Sequence, residues 1–349
     1  MDGYPLDHDP RIKLSIGTKE SGNADGRFSL PVALAFDHHR GLLLVSDSDN
    51  HRVQVFSSDD GSFVSKFGEQ GKQPGQFKYP WGLAIDHDHD RILMVDNGNY
   101  RVQSWSLSEQ SFLLYIGQYG SGDPEFQYPR GIAIDKHHHR IVIADTLNNR
   151  LVFLSSIDLS FSFSIGKQGS RPGAFWSPSG IAIDDDRHRI FVADCGNHRV
   201  QVLSSIDGSF LFMFGCRGDQ ACQFSGPQGL CIDNQGRIIV ADQNNSRLQS
   251  FTHEGHHISS FDCGIEMPFG VSFDEHRGLI AFSANNRVHV IGANQWFPDT
   301  FTWRPDRHRY APSWIKQAIS TMTMIRSVVD DSAMSMIPNE LLFEIFSFL

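Results

Sequence analysis

The histidines of this sequence stand in runs that would bind a metal ion if several of them converged. Imidazole nitrogen is a ligand that suits zinc, copper and nickel. Each run, however, falls in a polar turn after an apolar stretch, and a metal site also needs supporting hydrogen bonds that no sequence pattern shows here. We therefore expect exposed turns on the rim of the fold, with no metal and no cofactor, at His38-His39, His87, His89 and His137-His138-His139.

A second set of residues combines an acid, an amide and a guanidinium in the pattern Asp-x-x-Asn-x-Arg, which recurs at intervals of 48 or 49 residues. Short Asp and Asn side chains can bond nearby backbone amides. The Arg can pair with an acidic group of its own repeat or of a neighbouring one. A residue that is present in every repeat is more often architectural than functional. The pattern thus predicts a structural ladder made of Asp47, Asn50, Arg52, Asp96, Asn99, Arg101, Asp145, Asn148, Arg150, Asp194, Asn197, Arg199, Asp242, Asn245 and Arg247.

Upstream of each copy stands the pattern Pro-x-Gly, followed by an apolar stretch and an Asp. In the first copy Ala33 replaces the Gly. The variable position changes in every repeat, as expected of a position that serves function rather than architecture. Its occupants are Val32, Trp81, Arg130, Ser179, Gln228 and Phe269.

Motifs that recur at regular intervals indicate that the secondary-structure elements carrying them also recur. Each repeat contains four short stretches typical of β-strands, separated by turns, which indicates an all-β fold. Six four-stranded units predict a six-bladed β-propeller. The sixth copy of the ladder motif is degenerate, because Phe282 stands in place of the Asp while Asn285 and Arg287 remain. That repeat supplies only three strands, so residues 11–17 are predicted to add the fourth strand and close the ring.

The repeated sequence resembles the NHL repeat. The resemblance is clearest at Pro178–Asp184 and Ile190–Val202, which read Pro-x-Gly-Ile-Ala-Ile-Asp and Ile-x-Val-Ala-Asp-x-x-Asn-x-Arg-Val-Gln-Val. It spans residues 11–292 and implies a six-bladed propeller over that range.

In such a propeller the variable position begins the innermost strand, near the mouth of the central channel. Aromatic side chains and arginines are the usual anchors of protein interfaces. Packing within the loops is the alternative use of these residues. The sequence predicts a binding face at the channel mouth that consists of Trp81, Arg130, Gln228 and Phe269, with Tyr100 and His198 on adjacent turns.

The last part of the chain departs from the period. Residues 293–312 are rich in Pro, Arg and aromatics and are predicted to be a linker, and residues 313–349 to be a tail of two α-helices. The tail resembles a SOCS box, and its second helix resembles the opening of an F-box. Either resemblance implies docking to an Elongin-type or Skp-type adaptor of a cullin ubiquitin ligase. The residues that would dock are Trp314, Ala318, Met322, Ile337, Pro338, Leu341, Leu342, Ile345 and Phe346.

Charge and cysteine content narrow the function further. The formal net charge of −10 makes nucleic acid an unfavoured partner. Five cysteines without a CxxC pair argue against a disulfide framework or a structural zinc site. The sequence shows no signal peptide and no apolar run long enough to cross a membrane, so we expect a soluble cytoplasmic protein with no membrane partner.

Three functions remain open at this stage. The leading hypothesis is a non-enzymatic interaction scaffold, with the propeller binding a protein client and the tail docking the ligase adaptor. The second is RNA binding by the propeller, as some NHL proteins do. The third is a metal-dependent lyase or hydrolase of the propeller type, for which the apolar stretches of the inner strands, such as residues 83–85, 132–134 and 181–183, offer no His, Asp or Glu.

Overall fold

A computed structural model describes Leu6, residues 9–264 and residues 266–297. In chain order the strands are β1 (Ile12–Gly17), β2 (Pro31–Asp37), β3 (Leu42–Asp47), β4 (Arg52–Ser57), β5 (Phe63–Phe67), β6 (Pro80–Asp86), β7 (Arg91–Asp96), β8 (Arg101–Ser106), β9 (Phe112–Ile116), β10 (Ile132–Asp135), β11 (Arg140–Asp145), β12 (Arg150–Ser155), β13 (Phe161–Ile165), β14 (Pro178–Asp184), β15 (Arg189–Asp194), β16 (Arg199–Ser204), β17 (Phe210–Phe214), β18 (Cys216–Arg217), β19 (Gln223–Phe224), β20 (Pro227–Ile232), β21 (Ile238–Asp242), β22 (Arg247–Phe251), β23 (His257–Asp262), β24 (Pro268–Asp274), β25 (Leu279–Ala284) and β26 (Arg287–Gly292).

These strands form six four-stranded antiparallel sheets, each one blade of a ring. Blades 1 to 5 are β2–β5, β6–β9, β10–β13, β14–β17 and β20–β23, and blade 6 is β24–β26 together with β1. The short strands β18 and β19 pair in the loop before blade 5. The all-β, six-bladed propeller predicted from the sequence is confirmed.

The core lies between the blades. Each apolar cluster joins residues of two neighbouring blades, so the middle strands of a blade are covered on both faces. Every residue of β7 and β8, for example, is buried. One phenylalanine from each long interblade loop is completely buried in these layers, which accounts for part of the high Phe content: Phe28, Phe77, Phe126, Phe175 and Phe224.

The innermost strands approach one another more closely than a side chain would allow. A Cβ on Gly131 would lie 2.0 Å from the carbonyl oxygen of Ser179 on the next blade. On the preceding blade, the N–H of Gly82 donates to the carbonyl oxygen of Arg130, with 3.0 Å between N and O. The glycine of Pro-x-Gly therefore permits the contact that places the variable residues at one common end of the channel.

The ring is closed by the N-terminal strand. β1 pairs antiparallel with β26 and forms the outermost strand of blade 6. Ser15 Oγ lies 2.8 Å from Nδ1 of His289, which is fully buried in β26. The predicted closure is confirmed.

The packed body also extends past residue 292, where the linker was predicted to begin. Ala293–Trp296 forms a short helix, α1. Trp296 and Phe297 are buried in the cluster between blades 5 and 6, together with Leu6. The first five residues of the predicted linker 293–312 thus belong to the propeller.

In the sixth copy of the ladder motif, the residue at the Asp position is not the one predicted from the sequence. Ala284, not Phe282, pairs with Arg287 as Asp47 pairs with Arg52 in blade 1. The turn between them is two residues shorter than in the other blades. The Asp–Arg spacing of the other blades, applied to Arg287, therefore pointed to Phe282 instead of Ala284. Glu266, on the short loop before blade 6, contacts the Arg287 guanidinium and supplies the missing carboxylate.

The predicted helical tail, residues 313–349, lies outside the described residues. Its docking residues, Trp314, Ala318, Met322, Ile337, Pro338, Leu341, Leu342, Ile345 and Phe346, therefore stay predictions. In the part of the chain that the structure describes, no helix has the length and apolar character needed to cross a membrane.

Candidate functional site at the channel mouth

The five complete ladder motifs form the same side-chain cluster in blades 1 to 5, which we call the clasp. In blade 2, Oδ2 of the buried Asp96 accepts hydrogen bonds from Arg101 Nε at 2.7 Å and from Asn99 Nδ2 at 2.9 Å. Its Oδ1 accepts the backbone N–H of Lys78 at 2.7 Å. Burial raises the pKa of Asp96, and these hydrogen bonds act against that rise. The Arg thus pairs with the acid of its own repeat.

Each clasp also ties its blade to the loop that precedes it. Asn99 Nδ2 donates to the carbonyl of Gly71 at 2.8 Å, and Arg101 Nη2 donates to the carbonyl of Gln76 at 2.7 Å. Equivalent Asn-to-Gly and Arg-to-loop contacts recur in blades 1, 3, 4 and 5 around Asp47, Asn50, Arg52, Asp145, Asn148, Arg150, Asp194, Asn197, Arg199, Asp242, Asn245 and Arg247.

Sequence reasoning missed one member of the clasp. In four blades a glutamine two residues after the Arg also donates to the Asp carboxylate, as Gln103 Nε2 does to Asp96 Oδ2 at 2.9 Å. The recurrence of Gln at that spacing was the signal that could have revealed it. The others are Gln54, Gln201 and Gln249.

The variable residues of Pro-x-Gly line one cavity of about 330 Å³ at the centre of the ring. The rings of Trp81 and Phe269 approach each other edge to face, with 6.2 Å between their centroids. On the opposite side, Ser179 Oγ donates to Gln228 Oε1 at 2.8 Å, and Gln228 Nε2 donates to Gln243 Oε1 at 3.0 Å. The cavity mouth thus has an aromatic side and an amide side, while the deeper lining is mostly aliphatic and includes Cys231, Ser272 and Phe273.

Arg130 is the charged residue of this cavity. Its guanidinium carbon lies 4.7 Å from the centroid of the Trp81 ring, a cation–π contact. Burial lowers the pKa of Arg130. Its Nε is buried without a hydrogen-bond partner, and no carboxylate of the described residues forms an ion pair with its guanidinium. Arg130 is half-buried, and partial desolvation of a cation that has no anion beside it costs free energy.

The structure does not bring Tyr100 and His198 to the cavity. The Tyr100 ring packs against Tyr119 and Tyr128, with centroid distances of 4.9 and 5.1 Å. His198 Nδ1 accepts the backbone N–H of Gly226 at 3.1 Å. Asn149 Oδ1 accepts an equivalent N–H in blade 3, so this position caps the next interblade loop. The predicted binding face therefore keeps Trp81, Arg130, Gln228 and Phe269 and loses these two residues.

The histidine turns converge, and some of their side chains are less exposed than the polar rim turns expected from the sequence. His38 and His87 are half-buried, and the His38 ring touches His87 of blade 2 and His276 of blade 6. His137 and His188 meet in the same way between blades 3 and 4. The sequence could not show this, because the contacts join turns about 50 or more residues apart.

Comparison with known protein families agrees with this architecture. Residues 175–203 and 224–251 match the NHL repeat, and residues 35–114 match a family described as a 6-bladed beta-propeller. The chain is a six-bladed β-propeller with NHL repeats. No curated protein sequence matches it significantly.

Solved structures similar to this NHL propeller come from proteins of different kinds. One is from a nidogen–laminin complex, with 15% identity, a TM-score of 0.57, and coverage of 70% of this chain and 84% of that chain. Another is a protein of unknown function from Bacteroides thetaiotaomicron, with 17% identity, a TM-score of 0.59, and coverage of 80% and 76%. A third is a gluconolactonase from Xanthomonas campestris, with 14% identity, a TM-score of 0.59, and coverage of 76% and 87%. At these identities the similarity shows the fold alone.

Proposed function

We propose that this NHL propeller is a non-enzymatic interaction scaffold that binds a protein client at the channel mouth through a carboxylate of the client. The observation that carries the proposal is Arg130, a half-buried side chain with a buried Nε whose guanidinium stacks on Trp81 and has no carboxylate partner among the described residues. A carboxylate that entered the cavity would form a charge-assisted pair and relieve the cost of the unpaired cation.

The cavity suits the end or a side chain of a peptide. Its volume of about 330 Å³ admits a few side-chain-sized groups and no folded element. Trp81 offers apolar contact beside Arg130, and Phe269 extends this aromatic side of the cavity. The opposite side is polar, although Gln228 there already bonds Ser179 and Gln243. A C-terminal or acidic residue beside an apolar one has the complementary chemistry.

Selection and calorimetry can test this proposal. Peptides displayed with free C-termini or internal acids would be selected on the full-length protein and then measured by isothermal titration calorimetry. We expect Arg130→Gln to weaken the selected peptides at least about tenfold, since one charge-assisted pair is lost. The control Arg171→Gln, which removes the same charge from an exposed loop, should leave the affinity unchanged. Selected peptides that bind equally well after C-terminal amidation and replacement of their acidic residues, or equal loss of affinity in both variants, would contradict the proposal.

The two other functions make different predictions in the same assay. RNA binding predicts that a uridine oligonucleotide binds with a steep salt dependence, against the net charge of −10. A metal-dependent reaction at this mouth would need ligands there, and the described cavity lining holds no His, Asp or Glu. The scaffold is therefore the function that we place first.

The tail is a separate part of the proposal. We infer from the resemblance to SOCS and F-box sequences that it docks a cullin-ligase adaptor through residues such as Trp314, Ile337 and Pro338. Purified Elongin and Skp-type adaptors would be mixed with the full chain and with a truncation that ends at Phe297, the last residue of the propeller unit. Binding to the full chain only is expected. Equal binding, or none, would exclude the adaptor role.

A further inference from the structure

Four imidazole rings meet at the end of the inner strands that is opposite Arg130. Strand β2 begins beside Val32 at the channel mouth and ends at Asp37, directly before His38. The His38 ring centroid lies 4.3 Å from that of His39, 4.8 Å from that of His87 and 4.4 Å from that of His276. His39 and His87 lie 4.3 Å apart. Three adjacent blades, 6, 1 and 2, thus contribute to one cluster.

Histidines at this end of the propeller serve two different purposes. Three residues after the Asp that ends an inner strand, a basic side chain bonds that Asp: Arg40 bonds Asp37, and His89 bonds Asp86. That position is part of the scaffold, because His138 and Arg187 repeat it in blades 3 and 4. The clustered histidines stand one or two residues after the Asp, positions that hold Lys136 and His137 in blade 3 and no histidine in blades 4 and 5.

The ring nitrogens of the cluster remain available. Within the described residues, His38, His39 and His87 accept or donate no side-chain hydrogen bond, and the closest acid to His276 is Glu275 at 3.9 Å. An imidazole nitrogen that has no other hydrogen-bond partner can serve as a ligand of a transition-metal ion.

We propose that His38, His39 and His87 bind a divalent transition-metal ion, with Zn²⁺ as the representative, and that His276 is the nearest candidate for a fourth ligand. One nitrogen from each of the three lies within 4.8 Å of the others. Tetrahedral zinc with Zn–N bonds of about 2.0–2.1 Å brings ligand nitrogens to roughly 3.3 Å from one another. Rotation of partly exposed side chains closes that difference, since His39 and His276 are exposed and His38 and His87 are half-buried.

Three histidines and an exposed fourth position make an open site rather than a closed structural one. The ion would join turns of neighbouring blades at the end of the channel opposite the Arg130 site. It would also leave one position for water or for an anionic ligand group. The site is independent of the carboxylate pocket, because no residue of the three lines that cavity.

The second histidine cluster is the internal comparison. In it, His138 Nδ1 is held by Asp135 at 2.9 Å, in the scaffold role described above. His137 and His188 complete that group. A protein that binds zinc wherever histidines are close would use both clusters equally.

Zinc titration of the full-length, chelator-treated protein tests the proposal. We expect wild type to bind one equivalent of Zn²⁺ more than the variant H38Q/H87Q, and H137Q/H188Q to retain that equivalent. The variant His256→Gln, on an exposed loop, should match wild type. Circular dichroism melts would show that each variant is folded before titration.

Cobalt supplies a second readout that does not depend on affinity. Co²⁺ in a four-coordinate imidazole site gives strong visible absorption, whereas hexaaqua cobalt gives almost none. We expect the absorption in wild type and in H137Q/H188Q, and its loss in H38Q/H87Q. Equal zinc stoichiometry in wild type and H38Q/H87Q, or loss of the extra equivalent in H137Q/H188Q instead, would overturn the proposal.

Discussion

Asp47 and Arg130 both carry a charge into the interior of the propeller, yet only Asp47 meets an opposite charge there. The Asp47 carboxylate is fully buried and accepts from Arg52 Nε at 2.8 Å, whereas Arg130 has only the face of Trp81. Asp47 repeats in five blades, and Arg130 occurs once. The two residues illustrate two uses of polar side chains in one fold. Repeated residues bond one another and stabilise the blades, whereas we propose that unrepeated residues at the channel ends bind a ligand.

Deletion of residues 1–17 should lower the stability of the propeller more than any of the substitutions below. It removes β1, exposes the edge of β26 and uncovers His289, which then loses its contact with Ser15. We expect a loss of more than about 5 kcal/mol in the free energy of unfolding, above the cost of breaking any single buried ion pair. Urea denaturation followed by circular dichroism measures it. The matched variant Ser15→Ala keeps the strand and should cost only about 1–3 kcal/mol. Equal stability of the deletion and wild type would refute closure.

Replacement of one clasp Asp should cause the next largest loss of stability. Asp47→Ala removes the carboxylate that Arg52 and Gln54 share and leaves them only their bonds to loop carbonyls, so we expect a loss of about 3–5 kcal/mol in the free energy of unfolding. Asp49→Ala is the matched control, because Asp49 is an exposed acid of the same turn and should change stability by less than about 0.5 kcal/mol. Similar losses in both variants would mean that the clasp does not depend on the ion pair.

Replacement of Arg130 should not lower the stability of the protein, in contrast to replacement of Asp47. Arg130→Met keeps the length and apolar stem of the side chain and removes a half-buried charge that forms no ion pair among the described residues. We expect stability to stay the same or to rise by about 1–3 kcal/mol, while affinity for carboxylate peptides is lost. Thermal melts and calorimetry measure the two quantities. A loss of stability as large as that of Asp47→Ala would mean that Arg130 stabilises the fold, as Asp47 does, and would contradict the different roles assigned to the two residues.

Features that recur in every blade were predicted from the sequence. Contacts that depend on residues from different blades or loops meeting in space were missed. Strand positions, the closing strand and the ladder followed from period and polarity, because each blade solves the same packing problem. Glu266 was missed because its carboxylate comes from a loop that the repeat does not contain, 21 residues before the Arg287 it contacts. The meeting of His38 with His87 and His276 was missed because it depends on turn geometry between blades. His198 was placed at the mouth because its turn is near the channel, but its side chain caps a loop.

The smallest predicted effect tests that last assignment. His198 has a left-handed backbone conformation (φ 55°) and accepts the N–H of Gly226, so His198→Ala should cost about 1–2 kcal/mol through the lost hydrogen bond and strain. His198→Asn should cost almost nothing, since Asn149 has the same conformation and accepts the same kind of N–H in blade 3. Neither variant should change peptide affinity in calorimetry, because His198 does not line the cavity. If both variants weaken peptide binding while Asn restores stability, His198 belongs to the binding face after all, and the division between repeated and unrepeated positions fails at that turn.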